Sequence, residues 1–175
     1  MIDPHVIAEE ELNPILTVLT SLQWPISFEQ GCEIIEQLGW SMFGRKTALS
    51  TLPVSLRIVG LGALNGELSS IDFSLCDTVK DADEAGRQAI ADEYPRMVAT
   101  VTSCLGFEPT GVLWGHPGAK WDLANGARVN LPQGLNTLLL EVWSPTLAGY
   151  RLAKASIRNT TLMMCQMSTK TRTCG

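Results

Sequence analysis

Eight residues, Trp114-Gly-His-Pro-Gly-Ala-Lys-Trp121, gather two tryptophans, the only interior histidine and a lysine around a Gly/Pro turn. Aromatic rings offer large contact area and a neighbouring cation adds directional attraction, so such a loop suits partner recognition. Trp114, His116, Lys120 and Trp121 are therefore candidate partner contacts. The same spacing also fits two strand-end tryptophans that cover a core edge on either side of a turn. His116 would transfer protons near neutral pH if a distant carboxylate such as Asp122 or Glu141 were brought to it. No acid or nucleophile stands beside it in sequence, and a lone histidine makes a poor enzyme.

Other chemistry is thin. Gly60-Leu-Gly-Ala-Leu-Asn-Gly66 contains G-x-G but no following helix with Lys-Ser/Thr, so it reads as a hairpin end and not a phosphate loop. There is no G-x-S-x-G and no H-E-x-x-H. Cys32, Cys76, Cys104, Cys165 and Cys174 are scattered, odd in number and without C-x-x-C spacing, which argues against a disulfide framework and a zinc site. Cys32, Cys76 and Cys104 sit among apolar neighbours and read as small core residues. Asp81, Asp83 and Glu84 lack the calcium-loop glycine and terminal glutamate, and suit a helix N-terminus better. The expectation is no catalytic residue, no metal and no cofactor.

Charge narrows the partners. Residues 1–150 hold all eighteen acids and eight of the thirteen bases, a formal charge of −10. Residues 151–175 hold the other five bases and no acid. An acidic body repels nucleic acid and anionic membrane and attracts basic proteins. Apolar runs such as Leu138–Leu140 fall far short of the ~20 residues of a membrane helix. The acidic N-terminus lacks a signal-peptide layout, so a cytoplasmic protein is expected.

The elements that must position these residues form one domain over residues 1–150, with 151–175 a basic tail, mobile or ordered by a partner. Asn13-Pro14 predicts the start of a first helix with Ile15, Leu19 and Leu22 on its buried stripe, ended by Trp24-Pro25. Ser27 with Gln30 predicts a capped second helix, stopped at Gly39, with Glu29, Glu33 and Glu36 on its wet face. Strands follow over Trp40–Phe43, Val54–Leu64 and Glu67–Leu75, the last two joined by an Asn65-Gly66 turn. A third helix begins near Asp81–Glu84, carries Met97, Val98, Val101, Cys104 and Leu105 inward, is kinked before Pro95 and stops at Gly106. Four strands come next: Val112–Trp114, Trp121–Ala124, Ala127–Leu131 (after Asn125-Gly126) and Thr137–Trp143. The order α-α-β-β-β-α-β-β-β-β predicts an α+β fold, a twisted antiparallel sheet with helices packed on it. Beyond it, Arg151–Ile157 has spacing for one or two helical turns.

The run Leu19-Thr-Ser-Leu-Gln-Trp24, the helix end Leu38-Gly39-Trp40, and the helix from Gly86-Arg87 through Arg96-Met97 to Leu105-Gly106 together resemble a small actinobacterial domain family. Its members are similar to immunity proteins encoded near secreted toxins and type VII secretion components. The resemblance spans roughly residues 10–150, and Pro95 departs from its uninterrupted helix. It implies an immunity protein or secretion-associated binding module and carries over no catalytic residue. The element order is also similar to secretion chaperones that hold protein clients, a likeness of topology only. The expectation is thus a non-enzymatic protein-binding module for a basic toxin or secreted client. Its contacts are Trp114, His116, Lys120 and Trp121 on the loop and Glu29, Glu33 and Glu36 on the second helix. A client-binding homodimer or an assembly subunit is the alternative, and a small enzyme using His116 a more remote one.

Overall fold

The computed structural model describes residues 4–80, 83–113 and 115–151. Its elements run α1 (Glu9–Thr20), α2 (Phe28–Gln37), β1 (Ser41–Gly44), β2 (Thr47–Leu49), β3 (Ile58–Leu64), β4 (Glu67–Ser74), α3 (Glu84–Leu105), β5 (Gly111–Val112), β6 (Gly118–Asp122), β7 (Arg128–Pro132) and β8 (Leu139–Trp143). A further helical segment, α4, occupies 145–151. The α+β class holds. The order differs from expectation by an additional strand, β2, and by α4.

Local chemistry sets most of the boundaries. The Ser27 hydroxyl accepts the Gln30 N–H at 3.1 Å while Gln30 Oε1 accepts the Ser27 N–H at 2.9 Å, a reciprocal cap for α2. Gly39 and Gly106 take φ of 76° and 77° just beyond α2 and α3, where a side chain would be strained. Helix α1, by contrast, starts at Glu9 and not at Asn13-Pro14. Glu9, Glu10 and Glu11 fill its first turn, and the Glu11 carboxylate accepts the Ala8 N–H at 2.9 Å. Pro14 lies inside the helix on an exposed position, so the carbonyl it leaves free is on the solvent side. Pro95 likewise lies within α3, which runs unbroken over 22 residues. Asp83 is the cap of α3, its carboxylate accepting the Gly86 N–H at 2.9 Å; Asp81 lies outside the described residues. Ser144-Pro145 opens α4: the hydroxyl accepts the Leu147 N–H at 3.2 Å and proline takes the first helical position.

All eight strands form one antiparallel sheet in the order β1-β2-β3-β4-β8-β7-β6-β5. Two four-stranded meanders thus meet at their last strands. Asn65 and Gly66 turn β3 into β4 with φ of 54° and 82°, the positive pair of a two-residue hairpin. At Asn125-Gly126 only the glycine is positive, which fits the longer turn spanned by the Leu123 N–H to Ala127 carbonyl bond at 2.8 Å.

Strand alternation gives the sheet two unlike faces. On one, Leu61, Ile71, Val142, Val129 and Trp121 are cross-strand partners in a continuous row, and all are buried. A bulge at Ser69 shifts parity in β4, so Leu68 joins this face and packs against Gly31 of α2. Leu12, Leu16 and Leu19 of α1 and Ile90, Met97 and Val101 of α3 complete the core. Each such side chain contributes about 1.5–3 kcal/mol on burial. The opposite face carries the polar partners, and α4 returns over part of it, its Arg151 guanidinium 5.6 Å from the Trp143 ring centroid.

Candidate functional site

The loop between β5 and β6 does not gather its expected contacts. Trp121 is 0% exposed, at the end of the apolar row beside Val129, so it is a core residue and not a partner contact. Alternation along β6 is the reason: Trp121 turns inward while its neighbours Lys120 and Asp122 turn to the other face. Lys120 is half-buried, with Nζ 2.9 Å from Asp122 Oδ2, so its charge is already engaged. His116 is exposed and makes no hydrogen bond or ion pair among the described residues; Asp122 and Glu141 both face other groups. Trp114 lies outside the described residues.

The α2 carboxylates are placed as the sequence predicts. Glu29, Glu33 and Glu36 are all exposed, and none forms an ion pair among the described residues. Their spacing of i, i+4 and i+7 aligns them along one side of the helix. Cys32, on the same helix, senses them: burial raises its thiol pKa, and the Glu36 and Glu29 charges raise it further. Helix α2 packs beside β1 and β4, whereas the β5–β6 loop lies at the other edge of the sheet. The two expected contact sets are therefore not one surface.

A third grouping sits on the polar face and is not visible in any short stretch of sequence. Gly60, Asp72, Glu141, Asn130, Lys120 and Gly111 are successive cross-strand partners from β3 to β5. A parallel row runs Gly62, Ser70, Trp143, Arg128 and Asp122. At the β6 end, Asp122 accepts from Lys120 at 2.9 Å, Arg128 Nε at 2.6 Å and Thr110 at 2.9 Å. Burial pushes the Asp122 carboxyl up, but these three donors outweigh it and hold the pKa at about 2.

At the β3 end the glycines make room. A Cβ on Gly60 would lie 2.6 Å from both Asp72 carboxylate oxygens, so Asp72 leans over Gly60, away from the centre of the row. A Cβ on Gly111 would meet Lys120 Cε at 3.1 Å, so Lys120 leans outward the other way. Between them stand Glu141 and Asn130. Burial raises the Asp72 carboxyl pKa, opposed by the Gly60 backbone. Burial also raises Glu141; the Asp72 charge adds to this, while Trp143, Asn130 and Arg151 oppose it. Asn130 is 0% exposed, and its amide lies close enough to favour the ionised Glu141, yet neither amide atom is aligned for a hydrogen bond. The Ser74 hydroxyl, farther along β4 on this face, is also buried without a partner.

No group of three or more His, Cys, Asp or Glu side chains among the described residues is placed to hold a metal ion. None of the described helices is long and apolar enough to cross a membrane. Cys32, Cys76 and Cys104 are free thiols, Cys76 fully buried and the other two half-buried. A sequence family of unknown function, DUF6301, matches residues 10–144. No curated protein and no solved structure matches the chain.

Proposed function

Because the chain belongs to DUF6301, a family without an assigned activity, its function has to be argued from its surfaces, and we propose that it is a non-enzymatic module that binds a basic protein. The observation that carries this reading is the outer face of α2, where Glu29, Glu33 and Glu36 stand exposed and form no ion pair among the described residues. Three aligned, unneutralised carboxylates on a rigid helix attract a basic surface and steer its approach. Within this class, the likeness of the sequence to toxin-associated immunity proteins favours a cognate secreted toxin as the partner, met in the cytoplasm. His116 and Lys120 then lie outside the main contact.

The full chain immobilised against host lysate and secretome tests the proposal, with Glu29→Lys/Glu33→Lys/Glu36→Lys as the paired bait. One stoichiometric basic partner is expected, released by salt, bound at least about tenfold more weakly by the reversed variant, and non-toxic when co-expressed with the wild-type chain. Equal capture by both baits, or recovery of nothing but further copies of the chain, overturns the reading.

A further inference from the structure

We infer that the polar face of the sheet holds a receptor for an organic cation, a guanidinium or primary ammonium group, formed by Asp72, Glu141, Asn130 and the Trp143 ring. The site is separate from α2 and does not rest on the function proposed for it. Asp72 and Glu141 are direct cross-strand partners on β4 and β8. They are half-buried, and neither has a cation within ion-pair distance among the described residues. Trp143, Asn130 and Arg151 favour the ionised Glu141, and the Gly60 backbone the ionised Asp72, yet burial still raises both pKa values. A half-buried carboxylate without an ion-paired cation is costly, and a donor-rich cation lowers that cost.

Asn130 is the second, independent sign of a ligand. It is directly opposite Glu141, fully buried, and neither amide atom has an aligned partner, an arrangement folded proteins seldom leave unused. Its Oδ1 can accept from a cation that the two carboxylates hold. Trp143 stands next to Glu141 on this face and already accommodates a guanidinium, that of Arg151, at 5.6 Å. A metal ion fits less well, since the set has two carboxylates, an amide and a ring where a hard cation prefers six or more oxygens.

No cation among the described residues forms an ion pair with Asp72 or Glu141. Lys120 and Arg128 are drawn to Asp122 at 2.9 and 2.6 Å, at the β6 end of the rows. Arg151 stacks over Trp143, and its charge favours the ionised Glu141 without an ion pair between them. Among the described residues the acidic end has no ion-paired cation, and the cation it would take is either a free alkylguanidinium or amine or a basic side chain presented by another protein.

Calorimetric or NMR titration of the full chain with two probes tests the inference: agmatine for a free cation, and an acetylated, amidated Gly-Arg-Gly peptide for a side chain. Binding of at least one probe is expected, with amide shifts centred on Asp72, Asn130 and Glu141. Glu141→Gln and Asp72→Asn, which keep shape and remove charge, should each weaken it about tenfold or more, while Glu108→Gln, at an exposed acid between α3 and β5, leaves it unchanged. Tighter agmatine binding points to a small-molecule ligand and tighter peptide binding to a protein side chain; either supports the receptor. Failure of both probes at millimolar concentration overturns it, as does equal binding by folded Glu141→Gln and wild-type protein.

Discussion

The two faces of the sheet differ by a single step along each strand and by everything in their chemistry. Leu61, Ile71, Val142, Val129 and Trp121 make an unbroken apolar row under the helices. One residue away on the same strands, Gly60, Asp72, Glu141, Asn130 and Lys120 make a row of glycine, acids, amide and base. A register slip of one residue would exchange these rows, so the apolar face fixes the geometry of the polar one. The core therefore does more than stabilise: it is what places two acids opposite each other and an amide beside them.

The sharpest way to break the comparison is to truncate neighbours on opposite faces. Trp121→Ala removes a fully buried ring and should cost about 3–5 kcal/mol by chemical denaturation. Lys120→Ala removes a partly exposed ion pair with Asp122 and should cost at most about 1 kcal/mol. If the two losses were alike, the face assignment of β6 would be wrong.

A smaller effect is expected from a glycine on the polar face. Gly60→Ala puts a methyl 2.6 Å from the Asp72 oxygens, and displacing that carboxylate should cost about 1–3 kcal/mol. Asp72→Ala in the same chain should recover most of the loss, because the obstacle is this side chain and not the backbone. Additive losses in the double variant would show that Gly60 serves the strand conformation alone.

What was legible in the sequence follows from how local each determinant is. The Ser27–Gln30 cap, the helix stops at Gly39 and Gly106 and the Asn65-Gly66 hairpin are settled within a few residues, and the sequence predicts them directly. The start of α1 departs from the expectation because Pro14 suits a first-turn position, whereas the glutamates before it already form the first turn. β2, three residues long, is too short to show a period, and the Ser69 bulge shifts parity without any glycine or proline in β4 itself to mark it. Trp121 fits both a loop contact and the cover of a core edge, because an aromatic beside Gly and Pro signals recognition and core alike. The polar row draws one residue from each of β3, β4, β8, β7, β6 and β5, so only pairing assembles it. A faint signal existed in Glu141, the one acid inside the apolar stretch Leu138–Trp143.

The finest separation of the faces comes from pH, because the two ends of the polar face respond in opposite directions. Glu141 and Asp72 have raised pKa values in the folded chain, so the folded state binds their protons more tightly than the unfolded one. Their contribution is fully present below the ordinary carboxylate range and is lost as pH rises through the raised values. Asp122, held at about 2 against an ordinary 3.8, does the reverse: its contribution is present above 3.8 and is lost as pH falls through about 2. Glu141→Gln should therefore raise the melting temperature at pH 7, with the gain shrinking as pH falls below the ordinary glutamate value of 4.5. Asp122→Asn should lower it at pH 7, with the deficit shrinking toward pH 2. Melting curves of the two variants against wild type across this range make the check. Parallel curves at every pH would mean that neither carboxylate senses the row it stands in, and that the apolar face alone distinguishes the sheet.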